Sequence, residues 1–199
     1  MKEQFGFKNI YKFLCRGPKA EYADDYKYLT EVLIPSDPEN WVWQSSMETM
    51  LEEKWRTSFQ NVMPISGLNY ILDSIWDGTI THTNWYMGLV ADSGFTAFSE
   101  DDTATSHAGW SEDANYTQPN RPELIFSAAA NKSKTLSASL TFTGSGDTDI
   151  IGAFTISDNT KSGTLGLLIS EGAFITGVKP MKSGYLLNAT FTSGLVSVI

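Results

Sequence analysis

One cysteine, two histidines and no lysine or arginine between Arg56 and Arg121 are the scarcities that first narrow this 199-residue chain. The single Cys15 excludes an intramolecular disulfide framework and any multi-cysteine zinc site. His82 and His107 leave little room for histidine-rich metal chemistry. No apolar run approaches the roughly 20 residues that a membrane span requires. The opening MKEQFGFKNIYKFLC breaks its apolar residues with lysines, so it does not read as a secretory signal. The expectation is a soluble, acidic, globular protein. A chain of this length buries roughly 70% of its unfolded surface and needs neither disulfide nor metal to fold.

The net charge of −9 is unevenly distributed. Residues 1–20 carry five bases against one acid, 21–60 nine acids against three bases, and 61–120 eight acids with no base at all. From 121 onward five acids face six bases. A duplex-binding face needs clustered Lys and Arg to displace counterions from phosphates. The body of this chain has no such cluster, and nucleic acid is not an expected partner. Nor is a membrane.

Two stretches read as helices. Trp43, Met47, Met50, Leu51, Trp55 and Phe59 fall three or four residues apart, save the adjacent Met50 and Leu51, with charged residues between them, predicting an amphipathic helix over about 45–60 after the turn-like PSDPEN. Leu68, Ile71, Leu72, Ile75 and Trp76 form a second stripe, with Ser66 as the expected N-cap and Gly78 as the stop. Beyond Gly78 the pattern changes to strands: 84–91, 136–143, 149–157, 164–170 and 186–193. Leu187, Ala189 and Phe191 alternate with Asn188, Thr190 and Thr192; Leu136, Ala138, Leu140 and Phe142 alternate with Ser and Thr. Ile150, Phe154 and Ile156 are expected on one face, as are Leu165, Leu167 and Ile169. Period-two alternation with turn signals between the runs predicts a mainly β chain. The expected fold is an antiparallel β-sandwich or jelly-roll-like domain over 61–199, with the preceding helix, behind an N-terminal helical or extended arm over 1–60. A long polar loop, about 93–122, is expected to be packed by Phe95, Phe98, Trp110 and Tyr116.

Catalytic patterns are scarce. No GxSxG, HExxH, CxxC or phosphate-loop motif occurs, and the one Gly-x-Gly, Gly144 and Gly146, sits between strands as a turn. His107 beside Ser106 and the acids 100–102 reads as a loop histidine bonded to its neighbours rather than a triad base. Glu100-Asp101-Asp102 offers hard oxygen ligands but lacks a calcium-loop spacing, so no metal, cofactor or enzymatic activity is expected. The aromatics read as core and interface anchors, with Trp41, Trp43, Met47, Met50 and Trp55 as interface candidates.

The run NVMPISGLNYILD (61–73), WYMGL (85–89), DTATSHAGWSE (102–112), Tyr116, Arg121-Pro122 and GAF (152–154) resembles a family of small structural proteins of tailed-bacteriophage virions. The likeness spans about 61–192. It implies a virion location, a head-decoration or cement role, or alternatively a tail, neck or fibre-associated role, with the major capsid protein or other virion proteins as partners and a homo-oligomeric state. It also implies that Asp102, Ser106, His107, Gly109, Trp110 and Arg121 form a loop scaffold and not a catalytic set. Arg121, the first base after the long acidic stretch, is expected to pair with an acid at 100–102 or 112–113. A glycan-binding module, with Trp85, Trp110 and Tyr116 stacking on sugars, is a further reading of the aromatics.

Overall fold

The computed structural model describes residues 5–18, 51–60 and 63–197. Ten strands and one helix follow in chain order: β1 (Phe5–Pro18), β2 (Leu51–Gln60), α1 (Ile65–Trp76), β3 (Tyr86–Ala91), β4 (Glu112–Asp113), β5 (Ser133–Thr135), β6 (Leu140–Thr143), β7 (Thr148–Ile156), β8 (Leu168–Ala173), β9 (Lys179–Met181) and β10 (Leu186–Ser197). Among the described residues these form two five-stranded antiparallel sheets. The first has the order β2-β1-β10-β5, with β6 also on β10; the second has β4-β3-β7-β8, with β9 also on β7. No helix among the described residues is long and apolar enough to cross a membrane.

The sheets face each other as a β-sandwich, as the alternation predicts. Tyr11, Phe13, Phe142, Leu187, Ala189 and Phe191 of the first sheet meet Met87, Leu89, Ile150, Ala153 and Met181 of the second. Tyr11 stacks on Phe59 at 4.3 Å and meets Phe191 edge-on at 4.6 Å. Its hydroxyl crosses the core to Thr155 Oγ1, at 2.8 Å, and to Ser170 Oγ. Burial drives the Tyr11 hydroxyl well above the usual tyrosine range, so it stays protonated and ties the two sheets together. Cys15 is fully buried in the same core and its thiol is pushed up to about 12, which makes it an inert packing group.

Several expectations are corrected. The helix predicted over 45–60 is, from Leu51, strand β2; residues 45–50 lie outside the described residues. Leu51, Trp55 and Phe59 are four apart, a spacing that fits two strand periods as well as one helical turn. Pairing with β1 selects the strand, with Trp55, Thr57 and Phe59 turned inward while Arg56 stays exposed. Residues 1–60, expected as an arm, thus contribute two strands to the first sheet, and β1 lies between β2 and β10. The strand expected at 164–170 begins instead at Leu168 and runs to Ala173; Leu165 is left 72% exposed. Of the run 136–143 only Leu140–Thr143 forms a continuous strand. Ile150 also parts company with Phe154 and Ile156. A register shift beside Val90/Ala91 sends Ile150 into the inter-sheet core and leaves Phe154 and Ile156 on the outer face of the second sheet.

That outer face is covered by a third layer, made of α1 and the loop 93–111. Val90, Ile151, Phe154, Ile156 and Leu168 pack there against Ala104 and Trp110, with Phe95 and Phe98 at the margin. Tyr116, the fourth aromatic expected to pack the loop, lies in the inter-sheet core instead, edge-on to Phe142 at 5.1 Å. The helix also starts differently from its expectation. Pro64 is the N-cap and makes no side-chain bond, while Ser66 Oγ donates to the Leu168 carbonyl at 3.4 Å. Gly78 ends it as predicted, at φ +67°.

Candidate functional site

Loop residues 99–110 and Arg121 converge on the outer face of the second sheet, around Asp102. Ser99 N–H donates to Asp102 Oδ2 at 3.0 Å, and the Trp110 indole N–H donates to the same oxygen at 3.0 Å. Asp102 and Trp110 are both buried. The indole lies 4.9 Å from the Phe154 ring, tilted by 44°. His107 stacks on the indole at 4.0 Å, with Nδ1 at 3.0 Å from the Trp110 carbonyl oxygen. Ser106 closes the turn, its N–H donating to Thr103 Oγ1 at 3.1 Å.

Gly109 sits where this loop crosses itself. A Cβ there would lie 2.1 Å from the Ala97 carbonyl oxygen, which belongs to the backbone and cannot rotate away. The crossing is closed by Thr96 N–H donating to the Gly109 carbonyl at 2.8 Å. Gly109→Ala is expected to destabilise the chain by roughly 2–3 kcal/mol. Urea denaturation of the two proteins measures this directly, and an unchanged midpoint would show that the crossing has room to open.

Arg121 is the second fixed point. Its guanidinium is bidentate to Glu112, Nε to Oε1 at 3.0 Å and Nη2 to Oε2 at 2.8 Å, with both side chains buried. Nη1 also donates to the Asp158 carbonyl at 2.9 Å and Nη2 to the Gly163 carbonyl at 3.2 Å. Glu112 Oε2 accepts a further bond from Ser162 N–H at 2.6 Å. Of the acids offered by the charge pattern, Glu112 is therefore the partner. Three backbone groups of the loop after β7 are thus joined to one carboxylate–guanidinium pair.

Sequence reasoning missed Glu171. It pairs with Phe154 across β7 and β8 and is fully buried beneath the loop. Neither carboxylate oxygen has a well-formed hydrogen bond. Its polar surroundings are Asp102, the Trp110 indole and the Ser99 backbone, groups already bonded to one another. Burial first, and the adjoining Asp102 charge second, push its pKa up to about 9. The signal was present, since Glu171 is the one charged residue between Lys161 and Lys179.

A cleft of about 220 Å³ opens beside this cluster, lined by His107, Trp110, Glu112, Arg121, Phe154 and Ser162 among others. Its charged and ring groups are already engaged: the guanidinium holds the carboxylate, and the imidazole faces the Trp110 carbonyl. Among the described residues no group of three or more His, Cys, Asp or Glu is placed to hold a metal ion. The arrangement orders a long loop against a sheet. Trp110 and Tyr116 are too deeply buried to stack on a sugar, and Trp85 packs with Tyr70 and His82, so the glycan reading loses its three aromatics.

The loop-scaffold residues are thus brought together; of the interface candidates only Trp55 lies among the described residues. Trp55 is half-buried on the chain's own sandwich, its indole donating to the Pro180 carbonyl at 2.8 Å and its ring 6.1 Å from Phe174. Trp41, Trp43, Met47 and Met50 lie outside the described residues. No protein-family model matches the chain and no curated protein matches it, so these contacts and the sequence resemblance are what a functional reading rests on.

Proposed function

We propose that the protein is a non-enzymatic structural component of a tailed-bacteriophage virion, a decoration or cement protein that binds the head lattice. One observation carries the reading. The stretch DTATSHAGWSE, on which the resemblance chiefly rests, is a self-bonded cap over a β-sandwich, with Asp102, His107, Trp110 and Glu112 all engaged by neighbouring groups. Residues used in this way hold a surface in shape. A rigid small domain repeated over a lattice suits a cement role, because one modest contact summed over symmetry-related sites stabilises a shell that no single copy could.

Quantitative mass spectrometry of purified virions tests the proposal. A copy number within a few-fold of the major capsid protein is the expected result. A handful of copies per particle would place the protein at the tail or neck instead, and complete absence would overturn the virion assignment.

A further inference from the structure

The helix α1 presents its apolar face to solvent. Ile65, Leu68, Leu72 and Ile75 recur at spacings of three, four and three, the pattern of a coiled-coil seam, and Trp76 lies beside them. They are 44%, 40%, 52%, 60% and 81% exposed. Ile80, just past the helix, is exposed as well. The opposite side of α1 does the anchoring. A Cβ on Gly67 would lie 3.0 Å from the Ile169 backbone, so the helix rests directly on β8. Tyr70 donates its hydroxyl to the His82 carbonyl at 2.9 Å and lies edge-on to Trp85. Ile65 N–H is held by the Glu100 carbonyl at 2.8 Å. A helix fixed in this way cannot roll its apolar stripe under cover, and an exposed contiguous stripe of this kind marks an interaction site.

We infer that this stripe is the docking seam for an apolar segment of another protein flanked by lysine or arginine. Charge selects the occupant. Asp73 and Asp77 lie exposed at the C-terminal half of the stripe, and Glu100 and Asp101 lie exposed beside its N-terminus. No base occurs from residue 57 to residue 120, so nothing in this layer offsets them. A second copy would bring the same acids against these, and like charges across an interface oppose pairing. Segment 19–50 of the chain itself carries seven acids and two bases, which disfavours it for the same reason. A basic-flanked apolar helix satisfies both the stripe and its rim. The inference concerns the seam alone and stands apart from the virion assignment.

The test uses the full chain and two labelled synthetic helices of about three heptads, both with Leu at the a and d positions, one flanked by Lys and one by Glu. Fluorescence anisotropy should show the Lys peptide binding about tenfold or more tighter than the Glu peptide. Leu72→Asp should weaken it by a similar factor while the variant still unfolds cooperatively. Asp73→Lys with Asp77→Lys should clearly reduce the preference. Binding of neither peptide, or equal binding of both, overturns the inference. So does a wild-type dimer in sedimentation equilibrium that Leu72→Asp dissolves, because the occupant is then a second copy.

Discussion

Replacing Arg121 with Ala is expected to lower the stability of the folded chain by roughly 3–5 kcal/mol, the range for breaking a buried ion pair by removing one partner. The loss has several parts, all visible around the guanidinium. Glu112 is left as a buried carboxylate whose remaining hydrogen bond comes from Ser162 N–H. The Asp158 and Gly163 carbonyls lose their side-chain donor. The Phe154 ring loses the cation seated 5.2 Å from its centre. Arg121→Lys should recover little, because a single ammonium cannot reproduce a bidentate fork and reach two carbonyls besides. The double variant Arg121→Met with Glu112→Gln should lose clearly less than the sum of the two single changes, since each single change strands the other's charge. Urea denaturation of the wild type and these five variants checks this; a loss under about 1 kcal/mol for Arg121→Ala would mean that water reaches and solvates Glu112.

The sandwich was legible where one face of a strand is wet. In β10, Leu187, Ala189 and Phe191 are buried as their alternation with Asn188, Thr190 and Thr192 predicts. Legibility fails where both faces are covered. The run from Ile150 to Ile156 is buried throughout, so its apolar residues carry no phase information, and neither the register shift beside it nor the true start of β8 could be read. β2 was misread because a spacing of four is common to helix and strand. In α1 the stripe was read correctly, but periodicity gives a face and not the direction in which it looks. An apolar stripe ordinarily faces the core, whereas here Gly67 makes the backbone contact with β8 and a glycine adds nothing to a hydropathy pattern. The loop cluster shows the same division. A charge count alone narrowed the partner of Arg121 to a few acids, one of them Glu112. The meeting of Asp102 with Glu171 joins residues 69 positions apart, and no local pattern encodes it.

That meeting gives the other large expected effect: Glu171→Gln should stabilise the protein above neutral pH, by an amount that grows with pH. In the folded chain Glu171 holds its proton up to about pH 9, because ionising it would place a second negative charge in a dry site beside Asp102. In the unfolded chain it ionises near its ordinary value of 4.5. The folded state therefore binds more protons between those two values. The contribution of Glu171 to stability is fully present below about pH 4.5 and is lost progressively as pH rises toward 9, by at most about 1.4 kcal/mol per pH unit. Glutamine has nearly the shape of the protonated acid, can donate its amide N–H toward Asp102, and never ionises in the unfolded chain. The difference in unfolding free energy between Glu171→Gln and the wild type should be small at pH 5 and clearly in favour of the variant at pH 8, by roughly 2–4 kcal/mol after allowance for relaxation around a buried charge. Denaturation at pH 5, 6.5 and 8 measures that slope. A difference constant across the range would mean that Glu171 ionises in the folded chain as readily as in the unfolded one, and that the cap over the second sheet admits water. The same series run on Asp102→Asn separates the two causes. If burial dominates, as its order here implies, removing the neighbouring charge flattens the wild-type slope only in part.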